Sequence, residues 1–193
     1  QQFGRWVTSP VGRAEAQFRQ VREAAGIGTW VWDAEADRVE WDPVACRLAG
    51  LSPETMERSQ VDWVKRVHPD DLPRLQEAID ATRRGTDRFE CDFRQLHRDG
   101  SWNWVLSIGR VASRGPGGQP RRMFGMHVDI SERKRAEQES HESAMVLQQI
   151  IDSLPQRVFL KDSVGKYLAA NRAFRVDSGK DPVGLTDYEM PWT

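Results

Sequence analysis

Asp70 and Asp71 are adjacent carboxylates, a residue type used in acid and base catalysis. They follow His68 and Pro69 and come directly before a segment with helical periodicity. Adjacent side chains at a helix start point apart, and an Asp there accepts hydrogen bonds from the free N–H groups of the first turn. We therefore predict that Asp70 or Asp71 caps a helix and that neither is catalytic. His68 is assigned to the turn that enters this helix.

The remaining chemistry-bearing residues do not form a known catalytic pattern. Glycine-rich phosphate loops, nucleophile elbows and zinc signatures do not occur in the sequence. Cys46 and Cys91 lie far apart without metal-ligand spacing, which favours a reduced, cytoplasmic setting. The sequence therefore predicts a protein without enzymatic activity and without a metal site.

Charge and hydropathy limit the partners. The net charge of -1, with no clustered basic residues, argues against nucleic acid as a partner, and no apolar run is long enough to span a membrane. The chain begins with Gln1, which suggests a piece of a longer protein. Neither nucleic acid nor an anionic membrane is therefore an expected partner.

The elements that position these residues follow from periodicity and turn signals. Residues 13–25 form an amphipathic helix, and two short strands join at a turn over 34–37. Several short helices follow, and then three strands, the first two joined at Asp99-Gly100. Strands and helices do not alternate throughout, so the order predicts an antiparallel α+β fold.

The last strand runs into a charged helix. Phe124, Met126, Val128 and Ile130 alternate with other residues, which predicts that they share the buried face of a strand. Ser131 is expected to cap the helix, which continues to about Leu154. A heptad grid places apolar residues in the second half of this helix at the core positions Ala144, Leu147, Ile151 and Leu154. This pattern predicts a stiff rod with a site for a partner helix.

Five segments in a fixed order give the chain a family resemblance. They are Gly28-Thr29-Trp30-Val31-Trp32-Asp33, Val39-Glu40-Trp41-Asp42, Val67-His68-Pro69-Asp70-Asp71, Arg98-Asp99-Gly100-Ser101-Trp102 and Asp129-Ile130-Ser131-Glu132-Arg133-Lys134. Together they make residues 22–137 resemble a PAS domain with its C-terminal PAC segment. The resemblance implies a five-stranded antiparallel sheet flanked by short helices, often around a small cavity.

In that family the segment Asp129-Ile130-Ser131 resembles the signalling motif. The resemblance implies that Asp129 couples the last strand to the exit helix through a basic residue such as Arg133 or Lys134. The relay residues are therefore Asp129, Ile130, Ser131, Arg133 and Lys134. We expect a homodimer that forms through the N-terminal and linker helices.

The opening of this pattern recurs later in the chain. Asp33 precedes Asp42 by nine residues, and Asp162 precedes Asn171 by the same interval. The later stretch resembles the start of a second PAS domain. The predicted organisation is an N-terminal helix (1–25), a PAS/PAC sensor domain (26–131), a linker helix (132–154) and an incomplete second PAS domain (155–193).

The resemblance makes three chemistries relevant: haem binding, flavin binding and phosphotransfer from a histidine. Many haem-binding PAS domains take an axial His from the helix that here spans 71–84, which has none. Light-sensing flavin domains carry an Asn-Cys-Arg-Phe motif, whereas Cys46 is preceded by Ala45. His141, in Ser140-His141-Glu142, lacks the sequence that follows a kinase phosphoacceptor. The sequence favours no cofactor over non-covalent flavin, and flavin over haem.

The resulting hypothesis is a sensory input region of a bacterial signalling protein, whose output domain is a histidine kinase or diguanylate cyclase. Ligand occupancy or redox state would change the packing under the sheet, shift the last strand and bias the exit helix. Strand alternation and helix stripes predict these cavity-lining residues: Trp41, Cys46, Trp63, Leu75, Ile79, Phe89, Cys91, Phe93, Trp104, Leu106 and Met126. The alternative is a ligand-free dimerisation or protein-interaction module, which a cavity below about 100 Å³ would favour.

Overall fold

The computed structural model describes residues 10–52, 54 and 60–191. The described chain divides into two compact units, the first ending at Lys134 and the second beginning at Arg135. The sequence also predicts a helix start at Ser52-Pro53-Glu54, of which Pro53 lies outside the described residues. Trp6 and Trp192 lie outside them as well.

The described part of the first unit contains five strands and four helices before the exit helix. The helices are α1 (Pro10–Ala24), α2 (Pro43–Leu48), α3 (Gln60–Val64) and α4 (Leu72–Arg83), with a 3-10 turn at Pro69–Asp71. The strands are β1 (Ile27–Asp33), β2 (Arg38–Trp41), β3 (Arg88–Leu96), β4 (Trp102–Arg114) and β5 (Pro120–Asp129). The leading helix, the five strands and the helices that follow Asp42 and Asp71 are present, as expected from the sequence.

All five strands form one antiparallel sheet in the order β2-β1-β5-β4-β3. The predicted α+β architecture with a five-stranded antiparallel sheet is therefore confirmed. The turn between β3 and β4 forms at Asp99-Gly100, where Gly100 has a φ of 89° and the Ser101 N–H donates to Asp99 Oδ1 at 2.8 Å. This turn fixes the β3–β4 register, in which Phe93 faces Val105 and Cys91 faces Ser107.

One face of the sheet packs against α3 and α4 to make the core. Its buried cluster contains Trp30, Val67, Leu75, Phe89, Cys91, Phe93, Val105 and Met123. The alternation of β3 places Phe89, Cys91 and Phe93 inward, as predicted. The core is therefore built from aromatic and sulfur-containing side chains of the sheet under two helices.

Strands β4 and β5 have the opposite alternation to the one predicted. Val105 and Ser107 face the core on β4, and Met123 and His127 face it on β5. Phe124 and Met126 lie on the outer face of the sheet, where both are exposed, and half-buried Val128 also lies there. The prediction was wrong because the outer face is as apolar as the inner one, and a shift of one residue exchanges the faces.

The start of α4 is also built differently from the prediction. His68 Nδ1 accepts the Asp70 N–H at 3.2 Å, so His68 caps the 3-10 turn that leads into the helix. Asp71 is buried and caps nothing with its side chain. Its carboxylate instead accepts the Arg94 backbone N–H at 2.8 Å and the Arg94 Nε–H at 2.9 Å, which ties the helix start to β3.

The exit helix α5 (Ser131–Ser153) is unbroken, as predicted. The second unit contains its larger part, a two-stranded sheet of β6 (Phe159–Lys161) and β7 (Tyr167–Ala170), helix α6 (Arg172–Ser178) and a 3-10 turn at Asp187–Glu189. A small buried cluster of Tyr167, Ala170, Phe174 and Met190 holds these elements together.

Candidate functional site

The site is a cavity under the inner face of the sheet in the first unit. Four indoles line it: Trp30 and Trp32 from β1, Trp41 from β2 and Trp63 from α3. The other apolar side chains that line it are Val39, Ile79, Phe89 and Met123. Aromatic side chains on adjacent strands and on a covering helix thus surround one space.

The polar residues that line the cavity are Gln60, Thr82, Ser107 and His127. Ser107 and His127 are directly opposite each other on β4 and β5, and each is only 1% exposed. Within the described part of the chain, Ser107 Oγ and His127 Nδ1 have no hydrogen-bond partner. Two buried polar groups therefore lie side by side with unused hydrogen-bonding capacity, which is costly in a closed core.

Three of the indoles add unused donors. The Nε1–H groups of Trp30, Trp32 and Trp63 are buried and have no acceptor among the described residues. An indole N–H only donates, so each of these groups requires an acceptor that the described protein does not supply. The cavity surface is therefore almost entirely apolar, although three of the indoles that form it carry buried N–H groups without an acceptor among the described residues.

His127 is held neutral. Its pKa is lowered from 6.5 to about 3, because burial disfavours the charged imidazolium, and the carboxylate of Asp42 only partly opposes this effect. The rings of Trp41 and Phe93 surround it with edge-to-face contacts at centroid distances of 5.5 and 6.2 Å. At neutral pH His127 therefore provides one donor and one acceptor but no charge.

Two glycines place the Trp30 indole against the sheet. Gly109 on β4 and Gly125 on β5 are paired, and Trp30 on β1 is opposite Gly125. A Cβ at Gly109 would lie 2.6 Å from the Trp30 ring, and one at Gly125 would lie 2.5 Å from it. The ring thus occupies space that any other residue at these positions would fill.

The cavity differs in part from the predicted one. Of the predicted residues, Trp41, Trp63, Ile79 and Phe89 line it. Cys46, Leu75, Cys91 and Phe93 are buried in the domain but do not line it. Trp104, Leu106 and Met126 were predicted on the wrong face, because the alternation of β4 and β5 is shifted by one residue from the expected one.

The residues that the prediction missed are mainly polar or on β1. Sequence reasoning treated His127 and Ser107 as outward-facing because they alternate with more apolar neighbours. The signal that identifies them is the hairpin register, since Phe93 inward on β3 requires its partner Val105 inward on β4. Extending that register across β5 brings His127 to the inner face.

The cavity is small. Its volume is about 50 Å³, whereas pockets for drug-sized ligands usually have several hundred Å³. Neither an isoalloxazine ring nor a haem fits this space. By its size alone, the cavity meets the criterion that favours a ligand-free module. A larger open groove of about 440 Å³ lies between α3 and α4, where Val64, Lys65, Leu72 and Arg83 line it.

The cysteines do not provide an obvious redox site. Neither Cys46 nor Cys91 forms a disulfide, and both side chains are buried. Burial is the largest cause that raises the pKa of each thiol above its usual value. Because the thiolate is the reactive form, this environment makes both side chains poor redox sensors.

A second structural feature is the junction where β5 passes into α5. The Trp104 carbonyl on β4 accepts the Ile130 N–H at 2.9 Å, and the Trp104 N–H donates to Ser131 Oγ at 3.0 Å. The Lys134 ammonium lies 4.8 Å from the centre of the Trp104 ring, and the Arg94 guanidinium lies 5.4 Å from it. Trp104, predicted to line the cavity, therefore joins the sheet to the first turn of the helix.

The expected relay residues have partly different contacts. Asp129 Oδ1 accepts the Ser131 N–H at 2.8 Å. Asp129 thus provides an acceptor for a backbone N–H in the first turn of α5. The Ser131 hydroxyl does not cap the helix, because it accepts the Trp104 N–H. Lys134 forms its ion pair with Asp92 on β3, at 2.8 Å, and not with Asp129. Partial burial tends to raise the pKa of Asp92, and the hydrogen bond from Lys134 lowers it. The net result is that the pKa of Asp92 lies below its usual value.

Neither a metal cluster nor a membrane-spanning helix occurs within residues 10–52, 54 and 60–191. Among these residues, no group of three or more His, Cys, Asp or Glu side chains is arranged to hold a metal ion. None of the described helices combines the length and apolar character that a membrane span requires.

Comparison with known proteins identifies the class of the first unit. Residues 38–127 match the family model described as the PAS fold. A crystal structure of a sensory box histidine kinase/response regulator from Burkholderia thailandensis E264 has a TM-score of 0.60 and 25% identity; the match covers 69% of this chain and 98% of that one. The first unit therefore has the PAS fold.

Two curated relatives extend the comparison to whole proteins. Over 154 residues the chain is 27% identical to the Sensor protein FixL of Bradyrhizobium diazoefficiens, and the match covers 80% of this chain and 30% of FixL. It is 26% identical over 157 residues to the Probable diguanylate cyclase DgcE of Escherichia coli, where it covers 81% of this chain and 14% of the relative. The chain thus spans less than a third of the length of these relatives.

Proposed function

We propose that the chain is a sensory input region of a bacterial signal-transduction protein. Its PAS domain responds to a small ligand, and α5 relays the response to an output domain outside the sequence. The relatives support this role, since one is named a sensor protein and the other a probable diguanylate cyclase. A histidine kinase or a diguanylate cyclase is accordingly the proposed output, and this region itself is regulatory.

The observation that carries the proposal is the junction between sheet and helix. Trp104 binds Ile130 and Ser131 through its backbone, and Asp92 binds Lys134 through its side chain. His127, which lines the cavity, lies on the strand that ends at this junction. A change of packing around His127 therefore has a direct covalent route to the start of α5.

The segment around Asp129-Ile130-Ser131 is proposed to be the PAC segment that closes this PAS domain. Its carboxylate, backbone and hydroxyl all take part in the junction. With it, the proposed organisation is an N-terminal helix (1–25), a PAS/PAC sensor domain (26–131), a linker helix (132–154) and a second, incomplete PAS domain (155–193). The second domain is supported by Asn171, whose side chain caps a short helix as that of Asp42 does in the first unit.

The partner proposed for the helices is a second copy of the chain. Leu147 and Ile150 on α5 are 63% and 54% exposed, and Phe18 and Val21 on α1 are exposed as well. Apolar residues at this density on a charged helix are typical of a coiled-coil seam. A parallel pairing of α5 would hold two sensors together.

One observation favours a different function. A cavity of about 50 Å³ is below the size at which a ligand pocket is expected, which supports a ligand-free dimerisation or interaction module. Against it stand the buried polar groups of the cavity that have no partner among the described residues. Closely packed protein cores leave few buried polar atoms without hydrogen-bond partners, and here five lie on side chains that adjoin the cavity.

Substitution of Asp129 by Ala in the parent signalling protein tests the relay. The change removes the acceptor for the Ser131 N–H at the helix start, so signal-dependent output should fall severalfold. The melting temperature of the 193-residue chain should fall by only a few degrees, which corresponds to a lost cap worth about 1 kcal/mol. Output activity with and without stimulus, together with thermal unfolding, measures both effects.

Glu139→Ala is the matched control, because Glu139 is an exposed carboxylate farther along the same helix. It should leave both output and melting temperature unchanged. If the output of the Asp129→Ala variant responds to the stimulus as that of the unmodified protein does, Asp129 has no role in the relay.

A further inference from the structure

The surface of the cavity under the sheet is almost entirely apolar. Five aromatic side chains line it: Trp30, Trp32, Trp41, Trp63 and Phe89. Rings on adjacent strands and on a covering helix supply dispersion contacts to a molecule between them. Because none of the described lining residues carries a charge at neutral pH, the wall offers no counter-charge to an ion.

The polar atoms next to the cavity are buried or already used. Ser107 Oγ, His127 Nδ1 and the N–H groups of three indoles are themselves buried. The Thr82 hydroxyl donates to the Ile79 carbonyl at 2.7 Å. A water molecule needs about two to four polar partners to be held in a cavity. Water is therefore held poorly here, and an apolar molecule that displaces poorly ordered water gains affinity.

The volume of the cavity limits the size of such a molecule. In another protein, an engineered apolar cavity of about 150 Å³ stays dry and binds benzene or xenon. The cavity under this sheet has a volume of about 50 Å³, about a third of that value. Benzene, with six carbon atoms, is therefore too large, and a molecule of about two or three non-hydrogen atoms fits.

We infer that this cavity binds apolar molecules of about two or three non-hydrogen atoms and discriminates against polar molecules of the same size. A polar molecule that enters gives up hydrogen bonds to water, and the cavity surface does not replace them. The inference deepens the proposed sensory function by naming the class of ligand. It rests on that function only in treating the bound molecule as a signal.

Two probes with the same number of non-hydrogen atoms test this selectivity. Ethane is apolar, and methanol carries a hydroxyl group. The reporter is the Met123 methyl group, because Met123 lines the cavity. In the 193-residue chain labelled with ¹³C at the methionine methyl groups, Met123→Leu assigns its NMR signal. Ethane under pressure should shift that signal saturably, and methanol should bind at least tenfold more weakly.

Met126 is the internal control, because it lies on the outer face of the same strand, where it is 38% exposed. Its methyl signal should show no saturable shift with ethane. Val39→Ile adds one methyl group to the cavity wall and should weaken ethane binding at least threefold. Val31→Ile makes the same change opposite Phe124 on the outer face and should leave ethane binding unchanged.

Two results would overturn the inference. Absence of a saturable Met123 shift with ethane would show that no apolar molecule enters the space. Equal binding of methanol would show that the site does not select for apolar molecules.

The proposed relay can fail separately. Ethane binding together with a normal response of the Asp129→Ala variant would leave this inference standing and remove the relay. Absence of ethane binding together with a reduced response of that variant would remove this inference and leave the relay.

Discussion

The two units open with the same local structure, displaced by 129 residues. The Asp42 N–H donates to the Thr29 carbonyl at 2.9 Å, and the Asn171 N–H donates to the Val158 carbonyl at 2.9 Å. The side chains of Asp42 and Asn171 each cap the short helix that follows. That helix ends in each unit before a glycine with positive φ, 65° at Gly50 and 67° at Gly179.

The units differ in how the same position anchors the preceding helix. Asp42 binds the side chain of Arg22 on α1 through an ion pair of 2.8 Å. Asn171 instead donates to the Ile151 carbonyl at the end of α5 at 2.9 Å and to the Gln156 carbonyl at 2.8 Å. Arg22 and Ile151 are also 129 residues apart. The repeat therefore extends to the helix that precedes each pair of strands. The residue at the cap position determines how that helix is held: Asp42 holds it by an ion pair, and Asn171 holds it by amide hydrogen bonds.

The units also differ in completeness. The first has five strands and a buried aromatic core, whereas the described part of the second has two strands with Phe159, Leu160 and Leu168 about half exposed. A two-stranded sheet has marginal stability in water. Anchoring by Asn171 should therefore matter more to the second unit than anchoring by Asp42 does to the first.

The largest expected effect is that of Asn171→Asp. Asn171 is fully buried, and its amide donates to backbone carbonyls that a carboxylate oxygen would repel. The second unit should lose about 3 kcal/mol or more, enough to unfold it, while the first unit stays folded. Amide hydrogen exchange measures each unit separately. The same amide-to-acid change at exposed Gln156 should be nearly neutral, and equal losses from the two substitutions would contradict the comparison.

An intermediate effect is expected from pH, and only in the first unit. In the folded chain burial lowers the pKa of His127 from 6.5 to about 3. Below pH 6.5 the unfolded chain binds a proton that the folded chain does not, so stability falls as the pH falls. The loss at pH 5 relative to pH 7.5 should be about 2 kcal/mol.

Urea unfolding monitored by amide exchange in each unit tests this pH dependence. His127→Gln should remove most of the loss between pH 7.5 and pH 5. An unchanged pH dependence in that variant would show that His127 is not the group responsible.

The smallest effect is expected from Asp42→Asn. The amide oxygen can still cap α2, but the ion pair with Arg22, about one-fifth exposed, is lost. The cost should be about 1 kcal/mol, with reduced amide protection in α1. Arg22→Gln should have the same effect, and the double variant should cost no more than either change alone. Additive losses would show that the two side chains do not act as a pair.

The sequence predicts the fold better than the site, for identifiable reasons. Turn signals at Asp99-Gly100 and the cap at Asp42 locate the elements, because these residues act locally. The prediction of which residues face inward on β4 and β5 was wrong. Trp104 and Leu106 are more apolar than Ser107, yet Trp104 and Leu106 face outward. Trp104 tolerates that position because Arg94 and Lys134 cover its ring. Such cover comes from distant parts of the chain, so periodicity alone does not reveal it.

Gly109 and Gly125 have a consequence for variation in this domain. The Trp30 ring lies where the Cβ atoms of other residues at these two positions would be. The position of the ring, and with it the shape of the cavity, therefore depends on glycine at both positions. Adding one methyl group at either position would displace the indole, which lines the cavity. A relative with Ala at Gly125 would also have to shift its backbone, because the new Cβ would lie 2.2 Å from the Ile108 carbonyl oxygen. A relative with Ala at Gly109 would mainly have to move the indole, and the space beside the ring would change with it.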